Sequence, residues 1–306
     1  MSDVLQSKDY QEFFVFVESQ SLRARTKTAY LRRVRLLAGY FPKRSLKRIG
    51  ERQVFDYLLH LRDHDKLRPS TLNQALVALR MFYRDFLGLD WKLWREFTIR
   101  RDAPLPVVLT RSEVRRVLAS VRENRFKAVL ALIYHCGLRL GEAVTLRPAD
   151  IDSARGVVRV RDGKGGKARE VPVSPAMVGR LRAYWRFHRN RRWLFPAVGR
   201  FWKKRHLTLA EAMGQSEKPM SVSSVQMTMR IVRARCGIHK PLTTHTLRHC
   251  FATHLLEGGV SIRQVSQYLG HSSLNSTLVY LHVTEISDNK GRSVQERLFE
   301  EIIGTP

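Results

Sequence analysis

Residues 125–146 read RFKAVLALIYHCGLRLGEAVTL, and this stretch changes character halfway along. Up to Cys136 the apolar residues recur at helical spacing, and Gly137 then stops the helix, as a glycine just past a last turn does. A shorter helix is predicted over 140–146. Arg139 falls in the joint between the two, flanked by Leu138, Leu140 and Val144, with Glu142 three residues on. An ordinary surface arginine would not be set among such neighbours, so Arg139 reads as a cation held at the edge of a core.

Outward from this joint, helical patterns dominate. Downstream, 156–161 and 169–173 alternate as strands across a glycine-rich turn, 162–167. Further helices are predicted over 175–189, 222–236, 246–256, 262–269 and 277–282, and one upstream over 110–121. Residues 198–220 fit nothing regular and read as an insertion. The N-terminal third is helical, with segments at 10–18, 22–40, 54–62 and 69–88, the last opened by Pro69-Ser70-Thr71. Arg100–Pro106, charged and broken by prolines, is the natural boundary. The expected fold is mainly α with one small antiparallel sheet: a helical bundle over 1–103, an α+β body over 104–286, and a tail over 287–306.

Charge narrows the function. The 306 residues carry 55 Lys+Arg against 27 Asp+Glu, a net charge of +28, and 41 of the bases are arginine. So much like charge repels itself in a compact chain and implies an acidic partner. Arginine grips phosphate through paired hydrogen bonds, which makes double-stranded DNA the leading partner. Residues 1–103 hold 21 bases and 12 acids (+9), residues 104–283 hold 31 and 10 (+21), and the last 23 hold 3 and 5 (−2). On 22–40 the bases Arg23, Arg25, Lys27, Arg32, Arg33 and Arg35 occur with no acid among them, the pattern of a DNA-gripping face. No apolar run is long enough for a membrane span, and three cysteines without framework spacing fit a reducing cytoplasm.

Three further patches carry chemistry. His245 and Arg248 lie three apart and share a helix face. Lys164 sits among Gly163, Gly165 and Gly166, where the backbone can approach a ligand closely, and Lys167 follows in the same turn. His271 precedes Tyr280 by nine residues. Two arginines from separate elements can bracket a phosphate, and attack on a phosphodiester is catalysed mostly by positioning and charge stabilisation. A phenol with a pKa of about 10 needs cations nearby before it attacks well. At about 100° per residue Leu274, Leu278 and Leu281 form a stripe that reads as the core face, and Tyr280 is expected to point away from that core. A metal reading of His245, His249, Cys250 and His254 is disfavoured, because Thr246 stands where the helical metal motif needs a carboxylate.

Taken together, Arg139, Lys164, His245-x-x-Arg248, His271 and Tyr280, in this order, resemble the tyrosine recombinase (phage-integrase) superfamily over nearly the whole chain. The resemblance implies a SAM-like N-terminal bundle that binds core DNA sites, followed by the catalytic domain. It implies Tyr280 as nucleophile, Lys164 as the general acid with Lys167 as the runner-up, and Glu142 as a structural carboxylate. It also implies a cytoplasmic enzyme without cofactor or metal, monomeric alone and tetrameric on two DNA sites. The amphipathic segment 292–303 then packs on its own domain or on a neighbouring protomer. Integron- and transposon-associated integrases match best, with a Xer-type resolvase as the alternative. A relaxing topoisomerase and a catalytically dead DNA-binding protein are further rivals. A nucleoid protein would explain the charge but not the order of motifs.

Overall fold

The computed structural model describes residues 7–99, 106–161, 168–199, 202 and 205–281. The chain divides into two compact units, Met1–Ala103 and Pro104–Pro306. The tail 287–306, Lys164 and Lys167 lie outside the described residues.

In the first unit α1 (Lys8–Ser19), α2 (Ala24–Tyr40), α3 (Glu51–Asp63) and α4 (Pro69–Arg80) are followed by a π-helical turn, Met81–Phe86, and by the short α5 (Leu93–Glu96). Pro69 at the first turn of α4 fills a position whose N–H has no partner in a helix anyway. The core is aromatic at its centre: Phe13 meets Phe82 edge-on at 4.9 Å between centroids, and Phe86 closes on both. Tyr83 is buried with its hydroxyl donating to Leu46 O at 3.0 Å, so its polar end is satisfied.

The second unit runs α6 (Arg111–Ala119), α7 (Asn124–Cys136), α8 (Leu140–Val144), β1 (Ile151–Asp152), β2 (Val157–Val160) and β3 (Arg169–Pro172). It continues with α9 (Pro175–His188), α10 (Leu209–Gly214), α11 (Val222–Arg235), α12 (Thr244–Glu257), α13 (Ile262–Leu269) and α14 (Asn275–Leu278). The sheet is antiparallel in the order β1-β2-β3, with Val158 opposite Val171. The edge strand β1 is two residues long, too short to show a period-2 signal in the sequence.

Helix α12 is buried around most of its circumference, with Leu247, Cys250, Phe251 and Ala252 inside together with Thr246, Arg248 and Thr253, so it is a core helix. It packs against α7. Gly137 makes the end of α7 possible: its φ is +59°, and a Cβ there would lie 2.3 Å from the Phe251 ring. Residues 198–220 are not wholly irregular as expected. Thr208 and Glu211 form a reciprocal cap that starts α10, Met213 is buried, and the Asn190 amide donates to the carbonyls of Met213, Gly214 and Ser216. The capping box was present in the sequence, but a six-residue helix shows too little periodicity to be noticed.

Candidate active site

The C-terminal end of α13 organises the site. A helix leaves its last carbonyls without intrahelical partners and concentrates partial negative charge there. Here three consecutive carbonyls each receive an arginine from a different element. Arg169 Nε of β3 donates to Tyr268 O at 2.8 Å, Arg248 Nη2 of α12 to Leu269 O at 2.6 Å, and Arg139 Nη2 to Gly270 O at 3.4 Å. Gly270 adopts the left-handed conformation (φ +62°), and a Cβ there would press within 2.8 Å of the Arg169 side chain.

Glu142 holds this cluster together. It accepts from Arg139 Nη1 at 2.8 Å and from both Arg169 terminal nitrogens at 3.1 and 2.7 Å. The backbone N–H of Arg139 also donates to it, at 2.8 Å. Burial raises the Glu142 pKa, but the Arg169 hydrogen bonds and charge, with the Arg139 contacts, outweigh it and leave the carboxyl below its ordinary value. Three cations facing one carboxylate leave a local net charge of +2. Arg248 is buried and donates through its other terminal nitrogen to Gly137 O at 2.6 Å. Burial, followed by repulsion from Arg139, pulls its pKa down to about 10, so it stays charged at neutral pH.

Tyr280 lies at this cluster, oriented opposite to expectation. It is 2% exposed and packs with Phe251, Leu256, Val265 and Leu269, whereas Leu274, Leu278 and Leu281 are 45%, 39% and 40% exposed. The leucine stripe presupposes a helix over 277–282, but α14 has four residues and starts at Asn275. Thr277 within it and Tyr280 just past its end are the residues that turn inward. The Tyr280 hydroxyl is 2.8 Å from His249 Nδ1. Burial raises the phenol pKa, and the charges of Arg248 and Arg139 pull against that rise.

His271 follows Gly270, bonds to Thr277 Oγ1 at 2.8 Å through Nδ1, and lies nearly parallel to the Tyr280 ring with centroids 6.4 Å apart. Burial and the surrounding arginines pull its pKa down to about 4. Burial, then His245 and Arg248, does the same to His249, so it is neutral at pH 7 and its Nδ1 can accept the Tyr280 proton in a hydrogen bond. His245 sits one turn before His249, rings 6.4 Å apart, with its pKa lowered by burial and by Arg248. Arg139, Glu142, His245, Arg248, His271 and Tyr280 are thus brought to one place, and the sequence reading missed Arg169 and His249. The former was read as the start of a strand and the latter only as part of a metal set. That set does not assemble: His254 bonds Tyr134 Oη and Leu109 O at 2.9 Å each, and Cys250 Sγ accepts from Leu109 N–H.

On α2 the bases separate. Lys27 lies on the side of the core residues Leu31, Val34 and Ala38 and pairs with Glu18 of α1 at 3.2 Å, so it leaves the basic face. Arg33 donates to Gln74 at 3.3 Å and is half-buried, as is Arg35. Arg23, Arg25 and Arg32 are exposed. Arg23 and Arg25 line, with Tyr30, Ser70 and Gln74, a groove of about 430 Å³ between the starts of α2 and α4.

The phage integrase family matches residues 107–286, and the SAM-like N-terminal domain of phage integrases matches residues 10–93. The y4qK protein of Sinorhizobium fredii is 37% identical over 260 residues, covering 84% of this chain and 79% of that protein. The tyrosine recombinase XerA of Thermococcus kodakarensis is 33% identical over 270 residues, covering 87% and 89%. Among solved structures, the Tn1549 transposon integrase in complex with transposon right-end DNA superposes with a TM-score of 0.70 at 17% identity, covering 95% of this chain and 99% of that one. A lambda integrase tetramer bound to a Holliday junction gives 0.69 at 16% identity, covering 88% and 76%. Those two share the fold. The chain belongs to the phage integrase family and is a tyrosine-type site-specific recombinase.

Proposed function

We propose that Tyr280 breaks and rejoins DNA strands through a 3′-phosphotyrosyl intermediate. The observation that carries this reading is the trio Arg139, Arg169 and Arg248, fixed on carbonyls 268–270 around a single carboxylate, with Arg248 and Arg139 acting electrostatically on the buried Tyr280 hydroxyl. A local charge of +2 suits the equatorial oxygens of a phosphodiester as negative charge builds on them. In the reaction the Tyr280 phenol gives its proton to the neutral His249 ring, its oxygen bonds to phosphorus, the bond to the 5′ oxygen breaks, and Lys164 supplies the proton to that leaving oxygen. Arg139 and Arg248 bracket the phosphate, with His245 and His271 beside it. The 5′ hydroxyl of a partner strand reverses the step. The bond energy is kept in the intermediate, so no ATP enters.

Residues 1–103 serve as the core-DNA-binding domain, gripping the duplex through the groove between α2 and α4, and residues 104–286 serve as the catalytic domain. Four protomers on two sites exchange the strands, a reading supported by the shared fold with the lambda integrase tetramer. The biological use is integration or excision of a mobile element, in line with the fold shared with the Tn1549 integrase. The identity to XerA supports a second reading, in which the chain resolves dimers of a replicon. Tyr280→Phe tests the mechanism on a nicked suicide substrate. The variant should bind the site and form no covalent complex, and a surviving complex would sink the assignment.

A further inference from the structure

A second cluster of chemistry lies far along the chain from Tyr280, at the C-terminal end of α3. The sequence His60-Leu61-Arg62-Asp63-His64-Asp65 sets two histidines at i and i+4, one above the other on a helix face. The structure adds the third donor. His60, His64 and Asp65 each bring one ligand atom, and these lie within 4.8 Å of one another, the one such group among the described residues. Asp65 Oδ1 stands 3.6 Å from His60 Nε2 and 3.4 Å from His64 Nδ1. Zinc binds imidazole nitrogen and carboxylate oxygen at about 2.0–2.2 Å, so neighbouring donors of a tetrahedral site are about 3.3–3.6 Å apart. The carboxylate is therefore already near the spacing that one ion would impose.

The local backbone holds this arrangement. The N–H groups of His64 and Asp65 both donate to His60 O at 3.0 Å. Lys66 then takes the left-handed conformation (φ 48°) without being glycine, and the N–H of Leu67 returns to Leu61 O at 3.0 Å. Leu67 packs on the core of the unit, so the residue after Asp65 is pinned from the far side. The His60 ring rests on Tyr40 at 5.0 Å and stacks with His64 at 4.5 Å. Asp63 is engaged with Arg62 at 2.7 Å and does not compete. The end of a helix favours a cation, and His64, 77% exposed at its side chain, leaves an open approach from solvent.

We propose that His60, His64 and Asp65 bind one borderline divalent cation, with Zn²⁺ the best fit, leaving the fourth tetrahedral position to water. Two imidazoles and one carboxylate favour zinc, nickel or copper over magnesium or calcium, which prefer oxygen-only shells. Bound there, the ion ties the end of α3 to the turn that leads into α4.

The test uses the full chain without a histidine tag, stripped with chelator and titrated with ZnCl₂ alone in a buffer free of phosphate. One ion per chain is expected, with a parallel Co²⁺ titration giving the intense visible absorption of a tetrahedral site. His64→Ala and Asp65→Ala should each weaken binding at least about tenfold and remove that absorption. Both side chains are solvent-facing, so the metal-free variants should melt as the parent does. Affinity and spectrum unchanged in a His64→Ala/Asp65→Ala double variant would overturn the proposal, as would no binding below about millimolar zinc.

Discussion

The two units use the same abundance of arginine in opposite ways. In the first, the arginine ion pairs stay outside: Arg62–Asp63, Arg84–Asp85 and Arg95–Asp90 are exposed pairs over an aromatic core, and exposed pairs of this kind add little stability. In the second, Arg248, Arg169 and Glu142 are drawn inside and each finds fixed partners. Burying a cation is costly unless its donors are satisfied, and here the end of one helix supplies the acceptors. Affinity for a polyanion needs only charge at a surface. Stabilising one phosphate in one geometry needs charge that cannot move.

The largest effect that separates the units is expected at Glu142. Glu142→Ala leaves two buried or half-buried arginines facing each other without their carboxylate, and should cost about 3–5 kcal/mol in urea unfolding. An exposed pair treated the same way, Arg84→Ala, should leave the unfolding midpoint nearly unchanged. Equal losses at the two sites would erase the contrast.

The next effect is on pH. His188 is buried beside Asn190, and burial pulls its pKa from 6.5 down to about 4. Below pH 6.5 the unfolded chain therefore binds a proton that the folded chain refuses, so stability is full above that pH and falls toward pH 4. At about 1.4 kcal/mol per unit, His188 alone should remove about 2 kcal/mol by pH 5. His249 and His271 add to the same trend. Calorimetry from pH 7 to pH 5 checks this, and a flat profile would show that these rings are hydrated.

The smallest effect sharpens the reading of the first unit. Arg25 is exposed at the groove and Lys27 is paired with Glu18. Arg25→Ala should lower the slope of log affinity for DNA against log salt by about 1, while Lys27→Ala should leave it unchanged. The opposite ranking would move the contact surface to another face of α2.

What was legible in the chain followed local rules. Helix α13 was predicted as 262–269 because its apolar period is strong and Gly270 ends it, and Gly137 announced the break before Arg139. What stayed hidden depended on distance or on brevity. The Arg169–Glu142 contact spans 27 residues and the His249–Tyr280 bond spans 31, and no periodicity encodes either. Tyr280 was turned the wrong way because a stripe drawn through four helical residues has no reliable face. Lys27 was grouped with its neighbours because Glu18 belongs to another helix.

One contact made early in the second unit has a mechanical side. Leu109 is fastened to α12 through both halves of its backbone, its N–H to Cys250 Sγ and its carbonyl to His254, which in turn grips Tyr134 of α7. The same helix carries Arg248, and His249 bonds Tyr280. A pull on the segment entering the unit is thus loaded onto a rigid rod whose next turn holds the Tyr280 hydroxyl, without passing through any loop.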